Sequence, residues 1–378
     1  MSFIQRVLCV RSIFFITTLI LISSISAKKF NTSHIELPSS YGKSKVASGL
    51  IYVRTGNSIV LEKPFGYADY LEKTLFTSTT QIYIGSLKKQ FIAAAILKLM
   101  SEGKLDLRAP ISAYLKFNTT LNAKDPTWIH HTTLHHLLTH VSEVKAAPQT
   151  SRPQTPTLSY LDRVYSESLS PRNPLKFAYN SAAYALLELV IEAISGQPAQ
   201  EYITHTFLKP LNMKHTGFHA SDIPNKIRQI FGNKLCYPYH FLHKQEQVVS
   251  TYDPNQARLF GAADMISTAE DLCKWNTALH SGKAFRTHPA IANRLLQLMR
   301  GLYTVDEEGD SYYGYGVKTY LRNSNTIYWH EGLVTGASVY LEYDPETDTH
   351  VIIFSNNTGV SFNSKTGTYV LEKLNDVF

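Results

Sequence analysis

Residues 86–103 read SLKKQFIAAAILKLMSEG. Leu87, Ile92, Ala95, Ile96, Leu99 and Met100 recur at the spacing of a helix face, and Gly103 is a stop signal. The run predicts a helix that begins at or near Ser86 and carries Lys89 one turn later on the same side. That arrangement suits nucleophilic chemistry. A serine hydroxyl is a weak nucleophile until a neighbouring base takes its proton. A helix N-terminus supplies unpaired N–H donors and partial positive charge, which favour an oxyanion and disfavour a protonated lysine. Desolvation would bring the neutral amine within reach. Ser-x-x-Lys also occurs at Ser26, Ser40 and Ser101, but only at Ser86 does it open a strongly apolar helix.

Upstream, 48–54 (SGLIYVR) and 58–66 (SIVLEKPFG) read as two strands around Thr55-Gly56-Asn57, a hairpin signal. From about 104 to 256 strand signals nearly vanish. Helical runs stand at 133–140, 157–168, 181–195 and 199–208, and 144–156 (VKAAPQTSRPQTP) is the most linker-like piece. A helix at 268–280 has the capping-box start Ser267-x-x-Glu270. Strands return at 312–320, 325–330, 336–344 and 349–356, the last two flanking Asp344-Pro345-Glu346-Thr347-Asp348, and 363–376 reads as a helix. The N-terminal hairpin is too small to stand alone. Both ends of the chain are therefore expected in one antiparallel sheet, about 45–103 with 257–378, flanked by helices, with 104–256 as a helical insert.

Residues 1–27 read as a secretory signal: Arg6 and Arg11, then the uncharged stretch Ser12–Ala27, with small residues Ser24, Ser26 and Ala27 before Lys28-Lys29. The alternative is an uncleaved membrane anchor, for which sixteen uncharged residues are short. The expectation is an exported protein, periplasmic or secreted. Removing two arginines and no acids lowers the formal net charge of +7 by two. The remaining basic residues are scattered, not clustered as nucleic-acid binding requires. Cys236 and Cys273 remain and read as structural. Asn31, Asn118 and Asn356 stand in Asn-x-Ser/Thr sequons.

Several pieces occur in a telling order. They are FGYAD at Phe65–Asp69, the Ser86-x-x-Lys89 helix, GKLDLRAPISAYL at 103–115, TLHHLLTHVS at 133–142, FAYNSAAYALLELVIEAISG at 177–196, LKPLNMKHTGF at 208–218, GAADMISTAEDLCKW at 261–275, YGYGV at 313–317 and His330-Glu331-Gly332. The ordered set resembles the β-lactamase-related, penicillin-recognising serine hydrolases. It is nearest the branch of class C β-lactamases, D-alanyl-D-alanine carboxypeptidases, D-aminopeptidases and related esterases. The resemblance implies a fold with an α/β part and an all-α part. It also implies an acyl-enzyme on Ser86, with Lys89 and Tyr179 handling protons.

By this resemblance Tyr179 is the tyrosine of a Tyr-x-Asn motif, and the N–H groups of Ser86 and Leu333 form an oxyanion hole. Gly332 lets substrate backbone approach, and His330 orients a carboxylate or relays protons. Two positions depart. Ser181 stands where the family has asparagine, with Asn180 before it, and Ser142-Glu143 replaces the usual Ser-Gly. Serine lacks the reach and the amide of asparagine, so binding of an acylamino side chain is in question. Glu143 suggests a changed turn at the cleft mouth. Lys365-Thr366-Gly367 repeats the family's Lys-Thr-Gly letters but has no strands left to follow it, and is set aside for His330. His131/His135 and His136/His140 have the i, i+4 spacing of a metal pair, yet no HExxH glutamate occurs, and they read as polar caps. No cofactor and no metal are expected. Expected substrates are small esters, D-amino-acid peptides, β-lactams weakly, and peptidoglycan fragments. No nucleic acid is expected, and a membrane only if the leader is retained. The alternatives are a non-catalytic penicillin-binding-like scaffold and a true β-lactamase.

Overall fold

The computed structural model describes residues 48–70, 72–145, 156–218, 236, 239–242, 247–250, 264–334, 336–357 and 362–375. Residues 38–369 form one compact unit, and the contacts discussed below lie within it. The leader at 1–27, the Asn31 sequon and most of the linker-like loop fall outside the described residues.

The main sheet has eight strands: β1 (Gly49–Thr55), β2 (Ser58–Phe65), β3 (Thr304–Val305), β4 (Tyr312–Tyr313), β5 (Lys318–Arg322), β6 (Asn325–Val334), β7 (Ala337–Asp344) and β8 (Thr349–Ser355). Their order is β3-β4-β5-β6-β7-β8-β1-β2. β1 pairs antiparallel with β8 from Gly49↔Ser355 to Thr55↔Thr349, so the two chain regions do meet in one sheet. β7 (ASVYLEYD) and β8 (THVIIFS) are buried at every residue. Runs without a polar face suit strands covered on both sides. The edge strand β2 has the more exposed, mixed pattern.

A 3-10 turn at Gly85–Leu87 leads into helix α1 (Lys88–Ser101). The sequence suggested one apolar face, but every residue from Lys88 to Leu97 is buried. The small run Ala93–Ala95 lets helix α2 (Ser181–Ser195), itself buried from Ala182 to Ile191, pack against α1. The polar side chains of α1 are satisfied individually. Gln90 accepts the Trp275 indole N–H at 2.9 Å, and Phe91 stacks on the same indole at 3.8 Å between centroids. Lys88 lies between Asp264, at 2.5 Å, and Glu188 of α2.

Some boundaries differ from expectation. Helix α3 (Ala269–His280) is capped by Thr268, which accepts from the Asp271 N–H, because Ser267 ends a short strand, Met265–Ser267. That strand pairs with Ile82–Tyr83 and Gly217–Phe218 in a second, three-stranded sheet. The insert also holds a hairpin, Tyr239–Leu242 with Gln247–Ser250, so strands do occur between 104 and 256. Two- to four-residue strands are too short to show a period of two. Helix α4 (Pro289–Met299), with Pro289 at its first position, was not anticipated. β6 runs past the expected residue 330 to Val334, because Glu331–Val334 pair with Tyr340–Ala337 of β7.

Lys365-Thr366-Gly367 opens the final helix, α5 (Lys365–Asn375), and lines no cleft as a strand would. Cys236 and Cys273 are buried free thiols, and burial pushes the Cys273 thiol up to about 12. Asn118 is exposed. Asn356 is 1% exposed and donates its amide to the Tyr67 carbonyl, which rules out a glycan there. Among the described residues, no helix is long and apolar enough to cross a membrane.

Removing one partner from a buried ion-pair cluster leaves an uncompensated charge and costs about 3–5 kcal/mol. Lys88→Met should therefore lower the urea unfolding free energy by about that much, while Lys98→Met, at a solvent-facing pair with Glu102, should cost under about 1 kcal/mol.

Candidate active site

Ser86 sits in the 3-10 turn that precedes α1. The turn presses directly on β6. A Cβ added to Gly332 would lie 1.9 Å from the Ile84 carbonyl oxygen and 3.4 Å from the Ser86 nitrogen. One added to Gly85 would lie 2.9 Å from the Leu333 nitrogen. Only residues without side chains allow this approach. It brings the backbone nitrogens of Ser86 and Leu333 to the same wall, while the Leu333 side chain is exposed.

Lys89 follows one turn into the helix. Its Nζ lies 2.9 Å from Ser86 Oγ and 3.2 Å from Ser181 Oγ. It also lies 4.9 Å from the centre of the Tyr179 ring and 5.6 Å from that of Tyr184. The side chain is wholly buried, with no carboxylate in contact among the described residues. Burial depresses its pKa to about 7, with Lys88 adding to the effect and Glu331 opposing it. A neutral amine offers two N–H donors and one lone pair. With one N–H directed at Ser181, the lone pair can receive the Ser86 proton.

Tyr179 precedes α2. Asn180 caps that helix through its side-chain oxygen, which accepts from Ala182 N–H at 2.8 Å, and its amide nitrogen donates to the Val144 carbonyl. The Asn180 amide is thus committed to the turn. Ser181, the first helical residue, is exposed. The Tyr179 hydroxyl is buried, and burial raises its pKa well above the usual phenol range, with Glu331 adding to the rise and Ser86 opposing it. Tyr179 is therefore a neutral phenol at ordinary pH, a proton donor rather than a resting base. Its backbone N–H donates to Glu307 at 3.2 Å.

His330 is wholly buried on β6. Its Nδ1 lies 2.6 Å from the Glu331 carbonyl oxygen and its Nε2 lies 3.1 Å from the Tyr313 hydroxyl. Burial lowers its pKa to about 4, despite the opposing pull of Glu331. With both nitrogens engaged internally, the imidazole offers none to a substrate carboxylate in this arrangement. Glu331 itself pairs with Lys318 at 3.0 Å.

Three other histidines of the 130–140 run are likewise engaged. His136 and Thr133 form a reciprocal capping box, His135 Nδ1 meets the Tyr315 hydroxyl at 2.8 Å, and His130 Nδ1 meets Ser112 at 3.1 Å. Among the described residues, no three His, Cys, Asp or Glu side chains converge as a metal ion requires. Glu143 stands in a left-handed turn. It adopts φ +52°, the backbone a glycine would take. Its carboxylate pairs with Arg172 at 3.0 Å and Lys145 at 3.6 Å, which offsets the strain.

The structure brings Ser86, Lys89, Tyr179, Ser181, Gly332 and Leu333 together and sets the His330 ring 6.2 Å from that of Tyr179 between centroids. His140, read from sequence as a polar cap, and Tyr313, given no role there, stand in the quoted pieces TLHHLLTHVS and YGYGV. Both pack against this site.

A sequence model described as Beta-lactamase matches residues 38–374. PbpX of Bacillus subtilis (strain 168), a penicillin-binding protein by name, is 27% identical over 330 residues, covering 87% of this chain and 75% of its own length. Protein flp of Staphylococcus aureus (strain NCTC 8325 / PS 47) is 25% identical over 320 residues, and the match spans 83% of this chain but only 60% of that protein. The D-amino acid amidase of Ochrobactrum anthropi SV3, solved with D-phenylalanine, superposes with a TM-score of 0.69 over 88% of this chain and 95% of its own, at 19% identity. A match along nearly the whole chain, on the fold described above, means that this protein belongs to the Beta-lactamase family of serine hydrolases.

Proposed function

We propose that this protein is an exported serine hydrolase that works through an acyl-enzyme, cleaving small esters and D-amino-acid amides or peptides, and β-lactams only weakly. The observation that carries the reading is Lys89: a buried amine with no contacting carboxylate among the described residues, 2.9 Å from the Ser86 hydroxyl. Lys89 takes the Ser86 proton as Oγ bonds to the substrate carbonyl carbon. The N–H groups of Ser86 and Leu333 hold the resulting oxyanion. The carbon–oxygen or carbon–nitrogen bond then breaks, and the leaving group receives a proton from the Tyr179 phenol, which Lys89 replenishes. Water, deprotonated by the same pair, attacks the acyl carbon and frees Ser86. Export is supported by the leader read at 1–27, and peptidoglycan fragments are the natural D-amino-acid substrates of an exported enzyme of this kind.

Ser86→Ala removes one hydroxyl from the cleft and leaves the core intact. It should abolish the mass adduct formed with a fluorophosphonate probe without changing the melting temperature. An adduct that persists in Ser86→Ala would exclude Ser86, and none in the unmodified protein would favour a binding scaffold.

The free base of Lys89 is the active form, so kcat/KM should fall as pH drops through about 7. Lys89→Ala should lose about 10²–10⁴-fold in turnover. A flat profile from pH 6 to 8 would remove Lys89 as the base.

Ser181 is too short to bridge to an acylamino group. A missing hydrogen bond of that kind costs about 1–3 kcal/mol, or roughly 5- to 150-fold. The protein should hydrolyse p-nitrophenyl acetate readily and nitrocefin poorly, and Ser181→Asn should raise the nitrocefin-to-acetate ratio. An unchanged ratio would show that this position does not set the preference.

A further inference from the structure

Beside Tyr179, three buried side chains, His140, Tyr313 and His330, touch in series. Asn180 N–H donates to His140 Nδ1 at 3.0 Å. His140 Nε2 lies 3.2 Å from the Tyr313 hydroxyl, and that hydroxyl lies 3.1 Å from His330 Nε2. His330 Nδ1 lies 2.6 Å from the Glu331 carbonyl oxygen. One proton arrangement of neutral groups satisfies the whole series. Because His140 Nδ1 accepts, its Nε2 carries the hydrogen and donates to Tyr313. Because a carbonyl can only accept, His330 Nδ1 carries the hydrogen and its Nε2 accepts from Tyr313. The neighbouring Tyr184 hydroxyl donates to the Leu138 carbonyl at 2.9 Å, so toward Tyr313 it can only accept, and it shares the Tyr313 proton with His330 Nε2.

We propose that Tyr313 and His140 are positioning residues, and that this oriented chain clamps the turn bearing Tyr179 and Ser181 onto the strand bearing Gly332 and Leu333. The inference rests on the hydrolase reading only for its kinetic consequence. The turn is held at two further points by the same histidine. The His140 carbonyl accepts from Ala178 N–H at 2.8 Å, and its ring lies 4.4 Å from the Tyr179 ring between centroids. Tyr313 is the link that spans to β6, and it is wholly buried.

The chain also governs charge. A proton added to His330 would leave two imidazole N–H groups facing the one Tyr313 oxygen, and one added to His140 would set its Nδ1–H against the Asn180 N–H. The charged groups around it are Lys89, Lys318 and Glu331, and the titratable phenols are Tyr179, Tyr184 and Tyr313. Burial first, and Lys89 and Lys318 with it, hold both imidazoles below the usual histidine range, against the pull of Glu331 on His330. Lys89 is then the one cation at Ser86 that titrates near neutrality.

The test is nitrogen-15 NMR of the histidine rings in the full chain, with kinetics on Tyr313→Phe. The expected spectrum shows His140 as the Nε2–H tautomer and His330 as the Nδ1–H tautomer, neither titrating across about pH 6–8. Assignment comes from His140→Gln and His330→Gln. Tyr313→Phe should leave the His330 tautomer in place but shift its Nε2 resonance as the hydrogen bond from Tyr313 is lost, lower kcat on p-nitrophenyl acetate about 10- to 100-fold and move KM by less than about 3-fold. A wild-type spectrum with the same tautomer in both rings, or with either ring titrating near 6.5, overturns the proposal, as does an unchanged kcat in Tyr313→Phe. The tautomers are read in the resting protein, so they decide the chain even if Tyr313→Phe fails to fold. A protein with these tautomers but no acyl adduct on Ser86 would sink the hydrolase reading and leave the clamp standing.

Discussion

Two consecutive lysines, both buried at the start of one helix, meet opposite surroundings. Successive helical side chains point about 100° apart. Lys88 therefore faces α2 and the strand bearing Met265, where Glu188 and Asp264 outweigh the cost of burial and raise its pKa. Lys89 faces two hydroxyls and two aromatic rings, none of which repays desolvation, and its pKa falls. The same side chain is a fixed cation at one position and an available base at the next. A one-residue shift in helix phase would exchange those roles. The rest of the site depends on that phase being held.

Two features hold it. The first is the backbone contact between the Ser86 turn and β6 at Gly332, which a single methyl group would break. The second is the packing of α1 into α2 and against Trp275, which leaves no freedom to rotate. The serine belongs to the turn and the lysine to the helix, so their 2.9 Å separation is set where these two constraints meet.

The sheet and the proximity of Ser86 and Lys89 were legible in the sequence because each rests on local pattern. Apolar β7 and β8, the hairpin at Gly56, and a serine and lysine at the head of an apolar helix are all readable over fewer than twenty residues. Strands of two or three residues left no pattern. Neither did β6 beyond His330, where Glu331 and Gly332 are poor strand formers held by pairing to β7. The fate of His330 was least legible. A histidine beside a glycine suggests a substrate contact, but whether its nitrogens are free depends on Tyr313 and on the strand's own carbonyl, which no spacing reveals. Ser267 and Thr268 illustrate the limit at a helix end: either could cap α3, and pairing of Ser267 with Ile82 decides it.

The pairing of β1 with β8 joins residues about three hundred positions apart. On a ribosome, β1 and β2 emerge early with half of their hydrogen-bonding edge unmatched, and the partner arrives only after the helical insert and five further strands of the main sheet have been made. Until then the buried face of β1 has no cover, and an exposed apolar strand edge is prone to self-association. Chaperone occupancy of the nascent chain should be longest over that interval. A circular permutant opened at the β1–β2 turn would bring β1 closer to β8 in sequence and make the pairing of β1 with β2 the long-range one instead.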